Sequence, residues 1–135
     1  RSYLAAPELR DVQFLGNLDR DGVARLLRDA TVSVVPSLWY ENLPNALLES
    51  YACGTPVLAS DLGSLAQSVV EGETGHLFRA GDAGELAEKL VLCCDDPEHV
   101  RAMSHKARRL AEELHSPQGH VTMLEELFTQ LARGG

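Results

Sequence analysis

Short apolar, β-branched runs alternate along this chain with longer stretches of helical period, and no other feature of the sequence constrains the fold as strongly. Four runs are predicted to be strands: Val12–Leu15, Val32–Val35, Pro56–Ala59 and Gly75–Phe78. Strands separated by helical stretches are typical of parallel sheets joined by crossover helices. We therefore predict an α/β fold, a Rossmann-like parallel sheet with flanking helices, in the order β-α-β-α-β-α-β followed by helices.

Helix signals fill the stretches between these runs. Asp19 or Asp21 can cap a first helix, whose apolar positions are Val23, Leu26, Leu27 and Ala30. A short helix is expected from about Ser64 to Val70, and Asp82 with Glu85 predicts a capping box. The helix after that box is expected to turn Leu86, Leu90 and Val91 inward. Asp96-Pro97 and Ser116-Pro117 predict two more helix starts, and the apolar positions of the last helix are Val121, Leu124, Leu127, Phe128 and Leu131.

Size and charge narrow the class of protein. A length of 135 residues suits one domain, and a net charge of −8 argues against nucleic-acid binding, which needs clustered Lys and Arg. The three cysteines, Cys53, Cys93 and Cys94, fit a reducing compartment, and no run is long enough to span a bilayer. We expect a cytoplasmic protein. The basic helix face around Arg108 is interpreted as solvated, with peripheral contact to anionic lipid as the lesser alternative.

The segment that follows Val32–Val35 carries the chemistry, because ligands of open parallel sheets bind beyond the carboxyl ends of the strands. Pro36 ends the strand, and Pro44 fits the first position of a helix that runs to about Cys53 and stops at Gly54. Leu43 would then be the helix cap.

Leucine has no side-chain acceptor, so the amides of Asn45 and Ala46 are predicted to be free donors at the positive end of the helix dipole. Such a helix end is suited to a phosphate group. The alternative is that Asn42 caps these donors.

Two glutamates frame the start of this helix, Glu41 in the loop and Glu49 on the helix. Glu49 follows Asn45 by one helical turn and sits among apolar residues, where an unpaired carboxylate would be costly to bury. The vicinal hydroxyl groups of a ribose would supply two donors to this carboxylate. The alternative is that Glu49 caps a neighbouring loop or reaches solvent.

The sequence around these glutamates resembles that of the retaining glycosyltransferases of GT-B architecture known as group 1 or family 4. ENLPNALLE matches the family's pattern of two glutamates separated by seven residues, and it lies between a strand ending in PS and the continuation ACGTPVLAS. FLGNL, VVEGETGHLF and HSPQGHVTMLEELF extend the likeness over essentially the whole chain. The resemblance identifies the chain as part of a GT-B C-terminal domain, which binds the donor.

The resemblance implies a role for each site residue. Glu41, the catalytic candidate, approaches hydroxyl groups of the donor sugar, and Glu49 binds the ribose of the donor. The backbone around Asn42, Leu43, Asn45 and Ala46 holds the diphosphate. The donor would be a nucleotide-diphosphate sugar, most simply linked to uridine or guanosine, and neither a metal nor another cofactor is expected. The sugar would pass to an acceptor hydroxyl with retention of its anomeric configuration.

The resemblance also implies partners and a division of the chain. Residues 1–114 would be a partial nucleotide-sugar-binding domain and 115–135 its C-terminal crossover helix. The family's N-terminal acceptor domain and two further donor-domain strands would be missing, so we expect these residues alone to transfer no sugar. In the family's strand order, 3-2-1-4-5-6, the missing strands leave a gap. Either Val12–Leu15 pairs directly with Val32–Val35, or the chain self-associates.

Several residues keep open interpretations. Gln67 stands where the family commonly has a glutamate. Trp39 and Tyr40 could stack on a sugar, but we favour packing beneath the loop. His76 is interpreted as structural, and the other histidines lack metal-ligand spacing. The competing functions are a nucleotide-sugar epimerase of GT-B shape and a non-catalytic doubly wound binding module.

Overall fold

The computed structural model describes residues 11–40, 42, 44–114 and 121. Its elements are, in chain order, α1 (Arg20–Asp29), β1 (Ser33–Val35), α2 (Asn45–Ala52), β2 (Val57–Ser60), α3 (Gly63–Ser68), β3 (Gly75–Phe78), α4 (Ala83–Asp95) and α5 (Pro97–Leu114). Strands and helices alternate, so the predicted α/β class is confirmed. The expected helix at Ser116-Pro117 and the domain boundary at residue 115 lie outside the described residues.

The sheet has three parallel strands in the order β1-β2-β3. Ser33 is paired with Val57, and Val57 is in turn paired with Gly75. A Cβ atom added to Gly75 would overlap the carbonyl oxygen of Val57, so only glycine allows β3 to approach β2 this closely. Three of the four predicted strands are therefore confirmed, each within a residue at its ends.

The prediction of a strand at Val12–Leu15 is wrong. These residues have no regular structure, and Phe14 is 63% exposed. A strand forms only when its backbone groups bond to a neighbour, and within the described residues β1 pairs with β2 alone. Direct pairing of this run with β1 is therefore contradicted, whereas self-association of the chain stays a prediction.

Two apolar clusters cover the two faces of the sheet. On one face, Val35, Val57 and Ala59 pack against Leu47 and Tyr51 of α2. On the other face, Leu58 and Phe78 pack against Cys93 of α4 and Met103 of α5. Helix α5 reaches both clusters, because its later residue Ala107 belongs to the first. The α2 helix is thus fixed to the sheet from one side and to α5 from the other.

The helix starts follow the sequence closely, with one exception. Asp19 caps α1, and its Oδ1 accepts a hydrogen bond from Gly22 N at 2.7 Å. Asp82 caps α4, and its Oδ1 accepts from Glu85 N at 3.0 Å. The second hydrogen bond of the predicted capping box, from Asp82 N to the Glu85 side chain, is not formed in this described region. Glu85 Oε2 accepts from Arg79 N instead.

The predicted inward face of α4 needs a correction. Leu86 packs against the second cluster as expected, but Leu90 and Val91 are exposed and Cys93 is the buried residue. Lys89, next to Leu90, is partly buried, and its ammonium group pairs with Glu71 at 2.8 Å. A lysine can bury its methylene stem and still place its charge on a partner, which apolar periodicity does not reveal.

No helix within the described ranges is long and apolar enough to cross a membrane.

Candidate functional site at the start of helix α2

Helix α2 begins just beyond the carboxyl end of β1, where a parallel sheet is expected to bind its ligand. Its N-cap is Pro44, with the extended dihedrals φ −71° and ψ 136°, and not Leu43 as predicted. No side-chain hydrogen bond caps the helix, so the alternative cap by Asn42 is also wrong. The displacement by one residue leaves the main expectation intact, because proline, like leucine, has no side-chain acceptor.

The first amides of α2 are free within the described part of the chain. The first backbone bonds of the helix are donated by Leu47 N and Leu48 N, which both point to Pro44 O at 3.1 and 3.4 Å. The N–H groups of Asn45 and Ala46 have no acceptor among the residues that the structure describes, and both residues are exposed. Two adjacent free donors at a helix N-terminus can bind an anion.

Four of the six predicted site residues are described by the structure: Asn42, Asn45, Ala46 and Glu49. Glu41 and Leu43 lie outside the described residues. Glu49 is exposed, so the premise that its carboxylate is buried is wrong, and the alternative that it reaches solvent is confirmed. It nonetheless follows Asn45 by one turn and lines the same hollow on the protein surface, so the structure brings these two predicted residues together.

Two hollows flank Glu49. The larger, of about 510 Å³, is lined by Arg20, Asn45, Leu48, Glu49, Ala52 and Ala111. The smaller, of about 150 Å³, lies between α1 and α2 and is lined by Arg20, Val23, Ala24, Leu27, Glu49, Ala52 and Cys53. Arg20 and Glu49 therefore both line each of the two hollows.

Arg20 lines the candidate site, although the sequence pattern does not predict it. It stands in a different segment from the two glutamates, and only the packing of α1 on α2 brings it close. Two hydrogen bonds join α1 to the segment that follows α2, from Cys53 Sγ to Ala24 O at 3.7 Å and from Thr55 Oγ1 to Leu27 O at 2.5 Å. The local sequence indicates only that Arg20 directly follows the Asp19 cap, which places its cationic side chain at the exposed start of α1.

Hydrogen bonds anchor the buried side and the far end of helix α2. The Oγ atom of Ser50 lies 2.7 Å from Ala46 O and 2.7 Å from the Oγ atom of Ser33 on β1. The hydroxyl group of Tyr51 lies 2.7 Å from that of Thr74. The pKa of Tyr51 is raised, because burial outweighs the opposing effect of this hydrogen bond. At the far end of the helix, Arg108 donates to Ala52 O. A rigid helix keeps the two free amides in place before a ligand arrives.

The loop that follows β1 spreads over the carboxyl ends of the other strands. Its Tyr40 ring lies against Gly63 at the start of α3, and Leu38 lies against Gly81 before α4. Trp39 is 65% exposed and Tyr40 is 80% exposed, so the prediction that they pack beneath the loop is wrong. Both aromatic rings are therefore largely at the surface.

A second polar group lies away from this site, around Glu71. Burial alone would raise the pKa of Glu71, but hydrogen bonds from Lys89, Leu77 N and His76 outweigh burial and lower it. His76 is buried and its Nδ1 lies 2.9 Å from Glu71 Oε1, whereas its Nε2 has no partner in the described part of the chain. Its structural interpretation is thus supported for one ring nitrogen only. Across residues 11–40, 42, 44–114 and 121, no three His, Cys, Asp or Glu side chains converge as metal ligands would.

The comparisons with known proteins point to one family. The family model described as glycosyl transferases group 1 matches residues 4–110. The chain is 42% identical over 80 residues to the phosphatidyl-myo-inositol mannosyltransferase of Mycobacterium leprae, covering 59% of this chain and 21% of the relative. Neither the epimerase nor the non-catalytic binding module is favoured by these matches.

Solved structures agree on the fold. Sucrose-phosphate synthase from Thermosynechococcus elongatus superposes with a TM-score of 0.82 at 32% identity, covering 99% of this chain and 34% of that one. HepE from Anabaena, solved with UDP and glucose, superposes with a TM-score of 0.74 at 23% identity, covering 90% of this chain and 32% of that one. The chain thus spans a fifth to a third of the length of these proteins.

Proposed function

Because the chain belongs to the glycosyl transferases group 1 family, we propose that it supplies part of the donor site of a retaining glycosyltransferase, which transfers a sugar from a nucleotide diphosphate to an acceptor hydroxyl. One observation carries this proposal. Two free backbone amides, those of Asn45 and Ala46, stand one helical turn before the exposed carboxylate of Glu49, at the carboxyl end of β1.

The diphosphate of the donor binds at the start of α2. The amides of Asn45 and Ala46 donate to phosphate oxygens, and the helix dipole favours the negative charge by about 0.3–2 kcal/mol. Hydrogen bonds to a charged group add about 1.5–3 kcal/mol each. These donors are already fixed by the buried side of α2, so little ordering is needed when the charge on the departing diphosphate develops.

The ribose of the donor binds at Glu49. The carboxylate accepts hydrogen bonds from the two vicinal hydroxyl groups, a pairing that a single acceptor with two oxygens makes well. The exposure of Glu49 leaves these oxygens accessible, and Glu49 takes part in no ion pair within the described residues. Glu41, in the loop before α2, contacts hydroxyl groups of the transferred sugar, the role that the family resemblance gives it.

The donor is a UDP- or GDP-linked sugar, and the solved HepE complex with UDP and glucose supports the former. The acceptor binds on a separate N-terminal domain of the parent protein, as the GT-B architecture requires. Sugar transfer therefore belongs to the full-length protein, in which both substrates are held together.

Transfer by the full-length protein tests this proposal. Sugar release from UDP-glucose and GDP-mannose is measured for the wild type, for Glu49→Ala and for Glu88→Ala, an exposed glutamate of α4 that serves as the matched control. Loss of a hydrogen bond to a charged group predicts a fall in kcat/KM of about tenfold to a hundredfold for Glu49→Ala. Equal values for all three proteins would reject the assignment.

A further inference from the structure

The direction of α2 fixes the direction in which a bound nucleotide extends, if the proposed function holds. Asn45 and Ala46 take the diphosphate and Glu49 takes the ribose, about 6 Å further along the helix axis at 1.5 Å per residue. Continuing in the same direction, Ala52 at the end of α2 lines both hollows, and Cys53, the residue after α2, lines the smaller one. The base of the nucleotide is therefore directed toward these hollows, and the smaller one, between α1 and α2, has the walls that a base needs.

That hollow has walls suited to a flat aromatic ring. Val23, Ala24 and Leu27 of α1 form one side, and Ala52 of α2 with Cys53, the residue that follows α2, forms the other. Its volume is about 150 Å³, and its charged wall residues are Arg20 and Glu49. Apolar walls with a few polar groups are typical of sites that bind one small ring and fix its orientation.

Arg20 is free to contact such a ring. Its side chain is exposed, and none of the six ion pairs formed within the described residues includes it. In particular, Arg20 and Glu49 line the same two hollows without forming an ion pair with each other. A ligand can therefore lie between the guanidinium group and the carboxylate.

We infer that Arg20 selects the base of the donor nucleotide, and that it favours a base with a carbonyl oxygen at position 4 of a pyrimidine or position 6 of a purine over one with an amino group at that position. A guanidinium group only donates hydrogen bonds. It pairs with O4 of uracil or with O6 and N7 of guanine, whereas the exocyclic amino groups of cytosine and adenine are themselves donors. The inference deepens the proposed function and rests on it.

Nucleoside diphosphate binding tests the inference. UDP, GDP, CDP and ADP are each titrated into the wild-type protein, Arg20→Ala and Arg25→Ala. Arg25 lies on the same helix but lines neither hollow, so it is the matched control. We expect UDP and GDP to bind the wild type and Arg25→Ala about tenfold more tightly than CDP and ADP, as expected for one charge-assisted hydrogen bond. Arg20→Ala is expected to bind all four with similar affinity.

The UDP and GDP titrations also distinguish uracil from guanine, since the nucleotide that binds the wild type more tightly identifies the preferred base. A wild type without preference between carbonyl and amino bases would overturn the inference, and so would an unchanged preference in Arg20→Ala. Glu49→Gln separates the inference from the proposed function. If Glu49→Gln weakens UDP and GDP binding while Arg20→Ala does not alter base preference, only the inference fails. If no nucleoside diphosphate binds the wild type, the proposed function fails and the inference falls with it.

Discussion

The hydroxyl group of Tyr51 on α2 lies 2.7 Å from the hydroxyl group of Thr74, in the turn before β3. Thr74 also accepts from Val70 N at 3.0 Å, and the Tyr51 hydroxyl donates to Ser68 O at 3.3 Å. This buried network ties the helix that carries the candidate site to the segment between α3 and β3. Its contribution is to the rigidity of α2, since none of its atoms lines the hollows beside Glu49.

Tyr51→Phe is expected to lower the free energy of unfolding by about 1–2 kcal/mol, because the ring packing is kept but buried hydrogen-bonding groups lose a partner. Thr74→Val should cost a similar amount, and the double variant less than the sum. Urea unfolding of the four proteins measures the coupling. Strictly additive effects would show that the two hydroxyl groups do not act together.

The stability of the protein should fall at acid pH partly through Glu71. Because its pKa is lowered in the folded protein from an ordinary value of 4.5, its contribution is complete above that value and is lost as the pH falls through the lowered pKa. Glu71→Gln should remove this part of the pH dependence and cost about 1 kcal/mol at pH 7. Unfolding between pH 7 and pH 3 measures it, with Glu73→Gln, which removes only an ion pair to Lys106, as the control. Parallel pH profiles for the wild type and Glu71→Gln would contradict this prediction.

Gly75→Ala should destabilise the protein by about 1–3 kcal/mol, the range typical of overpacking a well-packed core. The added Cβ would overlap the carbonyl oxygen of Val57, so β2 and β3 would have to separate. Gly84→Ala is the control, because its nearest neighbour would be the Asp82 Oδ1 atom at 3.3 Å and alanine favours a helix. Thermal unfolding compares the two. A Gly75→Ala variant as stable as the wild type would show that the register of the sheet differs from the one described.

Self-association of the chain should depend on the free edge of β1. Among the described strands, β1 has a partner on one side only, and Val34 on this edge strand is 38% exposed. A lysine at such an edge opposes pairing with another chain, so Val34→Lys should weaken association. Val91→Lys on α4 is the control, since it removes an exposed apolar side chain away from the edge. Light scattering that shows only monomer for the wild type, or an equal effect of both variants, would count against this edge as the interface.

The sequence predicts those features that neighbouring residues decide. The apolar runs locate β1, β2 and β3, and the helix starts at Asp19, Asp82 and Asp96 follow from local capping chemistry. The free amides of Asn45 and Ala46 likewise follow from the lack of a side-chain cap nearby. Features that depend on distant partners are harder to predict. Val12–Leu15 has the composition of a strand but no neighbour in the described fold, and Arg20 lines the same hollows as Glu49 only because α1 packs on α2.

The most direct measurement for the proposed donor site is the change in backbone amide chemical shifts when UDP or GDP is added to the protein. We predict that the largest changes fall on Asn45, Ala46 and Glu49, because the diphosphate accepts from the first two amides and the ribose binds at the third residue. Glu49→Gln should reduce these changes at the same nucleotide concentration. Saturating nucleotide that leaves Asn45 and Ala46 unshifted, or that shifts only amides away from α2, would contradict the account.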